Sequence, residues 1–265
     1  MKMLIRLSIL LALLASVSSC ASHETWDYVT LGDSFLARST IPEQYAAFIE
    51  EDMGVEVLIH EKAVSGQEPD VLLETLRTDE ELRGLVREAE VITFDFSGGW
   101  GNAPELKYIL ETCKGDDNQQ CLRDALEQAK ADWTEMADII TELTAGRPVL
   151  VSVFTFGSWI HDGYYKDRVT PEQKAVMYGY LAELQELQQA DAAARGMRVH
   201  PVFPPEVGSP PPAEYFQPDG LHISDEGSLV VANILRSAGY ERAPLRSALA
   251  SINLCPIYFA TVRKT

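Results

Sequence analysis

The chain has 265 residues, 46% of them hydrophobic and 9% aromatic, with 40 acidic against 22 basic side chains and a formal charge of −18. That is enough apolar surface to offset the entropy of ordering, so the chain as a whole is not expected to be disordered. The acidity argues against a nucleic-acid partner, because phosphate binding needs clustered Lys and Arg and no stretch supplies a basic stripe.

Residues 1–20 open with Lys2 and Arg6, continue through an apolar run from Leu7 to Ala15, and end on the small residues Ser16-Val17-Ser18-Ser19 before Cys20. This is the pattern of a secretory signal, and the run is too short for the roughly 20 residues that cross a bilayer. Val17-Ser18-Ser19-Cys20 resembles the lipobox of bacterial lipoproteins, in which Cys20 carries the lipid; ordinary cleavage near Ala21 is the alternative. Removing residues 1–19 takes away two basic residues and no acid, so 20 bases face 40 acids and the charge becomes −20. Membrane attachment is therefore expected only through a lipid on Cys20, with the protein exported and either anchored or secreted.

Past the signal, short β-rich runs alternate with longer helical patterns, the signature of a parallel sheet wrapped by crossover helices. Strands are predicted over Asp27 to Leu31, Glu56 to His60, Val91 to Phe96, Pro148 to Phe154 and Met197 to Phe203. Helices are predicted over Pro42 to Met53, Glu68 to Glu88, Ala103 to Leu143 with a break at a polar loop, Pro171 to Arg195, and Ser224 to Ala238. Pro42, Pro104 and Pro171 fit first helical turns, and Thr170 with Gln173 fits a capping box. The break holds Cys113 and Cys121, with Lys114-Gly115-Asp116-Asp117-Asn118 between them, and a disulfide is expected there because an exported chain keeps such a bridge. Cys255 is expected to be a buried small hydrophobe. One domain over residues 26–240 is expected, with residues 241–265 an extension packed on it; Ile252 to Val262 fits an edge strand or a surface-packed segment.

In open α/β sheets reactive groups gather outside the C-terminal ends of the strands, so three strand ends matter. The first strand runs into Gly32-Asp33-Ser34-Phe35, which puts the Ser34 hydroxyl at the rim, although Gly-Asp-Ser is also ordinary turn chemistry. Asp219-Gly220-Leu221-His222 precedes the last helix. A serine needs a base to take its proton, and a neutral imidazole needs a carboxylate to fix its tautomer, so Asp219 and His222 suit that task from one loop. Without Ser34 the pair would read as a surface contact or a helix cap. Val64-Ser65-Gly66-Gln67 and Ser97-Gly98-Gly99-Trp100-Gly101-Asn102 follow the second and third strands, where backbone N–H groups and an amide can face a developing oxyanion. Taken alone these are ordinary glycine loops.

Taken together, the blocks resemble the SGNH or GDSL family of serine esterases and lipases, from about Trp26 to Ala238 and in the family's order. The resemblance implies a three-layer α/β/α sandwich with a five-stranded parallel, flavodoxin-like sheet. It implies hydrolysis of carboxylic esters without metal or cofactor, with Ser34 as nucleophile, His222 as base and Asp219 as its orienting carboxylate. The oxyanion hole would be formed by Ser34, Gly66 and Asn102. One block departs from the family pattern: the third strand usually ends in Gly-x-Asn-Asp, whereas Trp100 follows Gly98-Gly99 here and the nearest asparagine is Asn102. The expected substrates are small-molecule, lipid or glycan esters. The alternatives are an O-acetylesterase acting on polysaccharide or cell wall, and a surface lipoprotein that keeps the fold for binding.

The other histidines, His23, His60, His161 and His200, are expected to be structural or solvated. His161 stands out because Phe154, Phe156, Trp159, Tyr164 and Tyr165 surround it in sequence and suit the lining of an acyl or aryl pocket, or plain core.

Overall fold

A computed structural model describes residues 24–96, 102–157, 168–207 and 210–247. The signal with Cys20, His23, the Ser97 to Gly101 loop, Trp159 to Tyr165 including His161, and the tail with Cys255 lie outside these residues.

Five parallel strands form one sheet: β1 (Thr25–Leu31), β2 (Glu56–Glu61), β3 (Val91–Phe94), β4 (Leu150–Thr155) and β5 (Arg198–Pro201), in the order β2-β1-β3-β4-β5. Eight helices accompany them among the described residues: α1 (Ser34–Ala37), α2 (Ile41–Met53), α3 (Pro69–Thr78), α4 (Glu80–Glu88), α5 (Asn102–Ile109), α6 (Gln120–Leu143), α7 (Pro171–Arg195) and α8 (Asp225–Ser237). Strands β3 and β4 are buried at every position, as expected of central parallel strands covered on both faces.

The alternation of strand side chains divides the core in two. Trp26, Tyr28, Val91 and Phe154 pack on one face against Ile41, Tyr45 and Ile49 of α2 and Val231 and Leu235 of α8. Val29, Leu31, Ile92, Phe94, Val151 and Val153 pack on the other face against α3, α4, α6 and α7, where Trp133 of α6 stacks on Phe94 with ring centroids 5.3 Å apart. The result is a helix–sheet–helix sandwich, an α/β fold.

Several local boundaries differ from expectation for identifiable reasons. The helix expected over Glu68 to Glu88 is two helices, because Asp79 takes an extended backbone (ψ 103°) and its carboxylate caps the N–H groups of Glu81 and Leu82. The third strand ends at Phe94 and the fifth at Pro201, earlier than their apolar runs suggest. In the fifth, the buried Val202 and Phe203 continue the apolar cluster past the end of the sheet. Thr170 and Gln173 form the reciprocal capping box of α7. The Cys113 and Cys121 sulfurs are bonded, with Cα atoms 5.0 Å apart, tying the turn after α5 to the first turn of α6. Of the C-terminal extension, Ala243 bridges to Val149, Arg246 N–H donates to the Arg195 carbonyl, and Leu245 is buried.

Candidate active site

In this sheet the chain leaves β1 toward one face and β3 toward the other, so the crevice beyond their C-terminal ends is the topological switch point, where open α/β sheets hold their ligands. The Gly32-Asp33-Ser34 turn sits at this edge. Gly32 takes φ +133°, a conformation glycine adopts at no steric cost. Asp33 caps the short helix α1, its Oδ1 accepting from Phe35 N–H at 3.0 Å, and this places half-buried Ser34 at the helix's first position. Phe35 and Leu36 anchor that turn in the core, Phe35 packing edge-on against Phe154 and Phe156 at 5.1 and 4.9 Å. Of the aromatic residues singled out near His161, these two therefore belong to the support of the Ser34 turn.

Asp219 and His222 occupy a small hairpin entering α8. Phe216 and Ile223 pair across it as an antiparallel bridge, Gln217 N–H donates to the His222 carbonyl at 2.7 Å, and Gly220 turns the chain at φ +69°. Both oxygens of Asp219 are used. Oδ1 accepts the backbone N–H groups of Leu221 and His222 at 3.0 Å each, and Oδ2 lies 2.6 Å from His222 Nδ1. Partial burial pushes the Asp219 pKa upward, but the hydrogen bonds from His222 and from the two backbone N–H groups outweigh it and hold the carboxyl down at about 2.

The other face of the imidazole meets a residue that sequence reasoning missed. Arg38, the C-cap of α1, lies 3.3 Å from His222 Nε2 through one guanidinium nitrogen, while the other is 3.4 Å from Gln217 Oε1 and 3.8 Å from Asp219 Oδ2. Guanidinium is a donor without a lone pair, so Nε2 is the acceptor and the Nδ1 proton points at Asp219. Gln217 Nε2 donates back to the Arg38 carbonyl at 3.0 Å and to the Ile223 carbonyl at 2.9 Å. Thr40 adds two ties to α8, its N–H to Ser228 Oγ at 3.3 Å and its hydroxyl to Asp225 at 3.1 Å. The fold thus joins the Ser34 turn and the His222 hairpin by several hydrogen bonds across a wide gap in sequence. Among the described residues, no hydrogen bond links the Ser34 hydroxyl to His222, whose Nε2 is covered by Arg38.

Gly66 lies in the exposed turn after β2 at φ +77°, anchored by Val64 N–H donating to the Gly32 carbonyl at 3.0 Å. Among the described residues neither the Gly66 nor the Ser34 N–H is engaged. Asn102 is the first residue of α5, directly after the Ser97 to Gly101 loop. A cleft of about 430 Å³ runs between the starts of α3 and α5, lined by Glu68, Asp70, Pro104, Gln128 and Asp132. Among the described residues no cluster of three His, Cys, Asp or Glu is arranged to hold a metal ion.

The remaining described histidines are structural. His60 pairs with Asp27 across β1 and β2 at 2.7 Å, and His200 is buried beside Ser152 Oγ at 3.3 Å. Arg38 and Gln217 carry no motif of their own. The available signal for Arg38 was its place one helical turn beyond Ser34, whose carbonyl accepts the Arg38 N–H at 3.0 Å.

No protein-family model and no curated protein sequence matches this chain. Solved structures do match its fold. The lipase Lip_vut3 from a goat rumen metagenome has a TM-score of 0.64 at 21% identity, covering 82% of this chain and 98% of its own. A GDSL-like lipase from Parabacteroides merdae has a TM-score of 0.60 at 14% identity, covering 83% and 98%. A variant of the acetyl-xylooligosaccharide esterase Axe2 from Geobacillus has a TM-score of 0.55 at 14% identity, covering 83% and 96%. The five-stranded α/β fold described above is therefore shared with GDSL-type lipases and esterases.

Proposed function

We propose that this chain is a serine ester hydrolase of the SGNH/GDSL type, acting through Ser34, His222 and Asp219. The observation that carries the reading is the 2.6 Å contact between Asp219 Oδ2 and His222 Nδ1, on a hairpin tied to the turn that presents Ser34 at the switch point of the sheet. That contact fixes the imidazole tautomer a general base requires.

In the reaction, Ser34 Oγ attacks the ester carbonyl while its proton passes to His222 Nε2. Asp219 stabilises the resulting imidazolium without taking the proton. The tetrahedral oxyanion is held by the N–H groups of Ser34 and Gly66, with Asn102 as the third donor. Collapse breaks the C–O bond to the alcohol, which leaves with the proton from Nε2, and the acyl group stays on Ser34. Water, deprotonated by His222, then attacks the acyl-enzyme, and the acid and free Ser34 are released. If the altered third block supplies no Asn102 donor, the loss is about 10²- to 10³-fold in rate.

Export follows from the leader, with Cys20 as the lipid-bearing residue of the mature protein. A second reading, O-acetylesterase action on a polysaccharide, draws on the fold shared with the acetyl-xylooligosaccharide esterase. Hydrolysis of p-nitrophenyl acyl esters from acetate to palmitate, by the mature protein and by Ser34→Ala, tests both. Activity confined to acetate favours the second reading, and a profile rising with chain length favours a lipase. Folded protein without activity on any ester and without fluorophosphonate labelling of Ser34 defeats both, leaving a binding lipoprotein.

A further inference from the structure

Arg38 stands differently from other arginines of this chain. Arg77 grips Glu135 through two nitrogens at 2.7 Å each, and Arg123 grips Asp117 at 2.9 and 3.0 Å, the two-pronged geometry in which guanidinium binds a carboxylate best. The contacts of Arg38 are 3.3 Å to an imidazole nitrogen, 3.4 Å to an amide oxygen and 3.8 Å to a carboxylate oxygen. These lie beyond the optimum for N–H donors, so each is weak. Asp219 has no second oxygen to offer, since Oδ1 holds two backbone N–H groups and Oδ2 holds His222. The guanidinium is anchored at its backbone but 44% exposed along its side chain, with its two-pronged donor face unfilled by any carboxylate among the described residues.

Arg38 also occupies the atom the reaction needs. Nε2 of a neutral imidazole has one in-plane lone pair, which cannot accept a linear hydrogen bond from both Arg38 and the Ser34 hydroxyl. The guanidinium must therefore withdraw before Ser34 can transfer its proton, and a ligand binding the withdrawn form more tightly drives that change.

We infer that Arg38 is the specificity-determining residue of this site: it takes a carboxylate carried by the ester substrate in a two-pronged grip and, in doing so, uncovers His222 Nε2 for Ser34. This rests on the hydrolase reading above. It assigns to the site esters of dicarboxylic or other carboxylate-bearing compounds, within a mature chain whose net negative charge otherwise repels them.

Two measurements on the full mature protein test it, with Arg38→Ala and Arg38→Lys as variants. The first follows the His222 ring nitrogens by ¹⁵N NMR during titration with glutarate, and needs no turnover. Glutarate is expected to shift Nε2 in the wild type, the uncharged glutaramide is not, and neither is expected to do so in Arg38→Ala. A wild-type Nε2 that ignores glutarate, or one that moves equally in Arg38→Ala, overturns the inference. The second compares kcat/KM for the mono-p-nitrophenyl ester of glutaric acid with that for p-nitrophenyl butyrate. The ratio is expected to fall at least about tenfold in Arg38→Ala, with the butyrate rate rising because Nε2 is uncovered, and Arg38→Lys should recover part of the ratio through charge without the fork. An unchanged ratio in both variants overturns the inference while leaving the hydrolase reading intact. Absence of turnover and of Ser34 labelling, with the glutarate shift present, defeats the hydrolase reading and leaves the anion contact standing.

Discussion

Gly32 is packed so closely against Asp95 that a Cβ on Gly32 would lie 2.2 Å from the Asp95 carbonyl oxygen and 2.8 Å from its Cβ. The two residues stand where β1 and β3 end side by side, with Asp95 N–H donating to the Leu31 carbonyl at 2.9 Å. The glycine of the Gly32-Asp33-Ser34 turn is thus required twice, by its φ of +133° and by the neighbouring backbone.

Gly32→Ala is therefore expected to destabilise the protein by at least about 2 kcal/mol, since a backbone contact cannot be relieved by a rotamer change. Whatever folds should also lose ester hydrolysis disproportionately, because relief of the clash moves Ser34. Chemical denaturation alongside fluorophosphonate labelling checks this, and a variant as stable and as reactive as wild type would show that the close approach is unimportant.

Asp219→Asn separates the two duties of Asp219. The amide oxygen can still accept from Leu221 and His222 N–H, so the hairpin should hold, but an NH₂ facing Nδ1 would favour the tautomer with its proton on Nε2. A fall in kcat of about 10⁴-fold with little change in melting temperature is expected. Asp219→Ala should lose activity and also loosen the hairpin. In the wild type, with Asp219 held at about 2, loss of activity on mild acidification must come from a group other than Asp219. Equal activity of Asp219→Asn and wild type would remove Asp219 from the mechanism.

Much of this was legible in the sequence, and the exceptions have two different causes. The Val-, Ile- and Phe-rich runs marked β3 and β4 most clearly, because central parallel strands are apolar on both faces. The edge strands β2 and β5, only partly buried, were marked by short apolar runs between turn residues, and Thr170-Pro171 marked the start of α7 through purely local hydrogen bonds. The break at Asp79 was also local, signalled by an N-cap aspartate followed by Glu80 and Glu81, but it lay inside a stretch of leucines that continues the helical pattern. Nothing local marked Arg38. Its partners Gln217 and His222 are 179 and 184 residues away in sequence, and only the approach of α8 to α2 brings them to one place. A contact made by tertiary packing leaves no trace in spacing or periodicity.

His200 makes the fold sensitive to mild acid. Burial, helped by the charge of Arg198, pushes its pKa down from 6.5 to about 4, so folding favours the neutral ring. For a base lowered in this way the stabilising contribution is complete above pH 6.5 and is lost as pH falls from there to about 4, a change on the order of 3 kcal/mol. His200→Gln, which keeps an acceptor for Ser152 and does not titrate, should show a flatter stability curve across that window. Urea titrations at intervals between pH 7 and 4 measure it, and parallel curves for the two proteins would mean that His200 stays solvated enough to charge freely.

Gly227, in the first turn of α8, supplies the counterpart of Gly32 where that helix meets the hairpin that carries His222. A Cβ there would stand 2.3 Å from the Tyr215 carbonyl oxygen and 2.5 Å from Ile223 Cγ2, while that same carbonyl accepts the N–H of Ser224 at 3.0 Å. Ser224 in turn caps α8 by accepting from Gly227 N–H at 3.1 Å and donates its hydroxyl to the Glu214 carbonyl at 2.6 Å. The start of α8 is thereby clamped onto the base of the hairpin, two residues after His222. Gly227→Ala forces the two apart although its helical backbone is unstrained, so it is expected to cost about 1–3 kcal/mol and to lower kcat on short-chain esters more than it raises KM. Ser224→Ala, which removes the cap without adding bulk, should cost about 1 kcal/mol and disturb kcat far less. If the two variants lose activity in proportion to their loss of stability, the clamp supports the fold alone and the placement of His222 is set elsewhere.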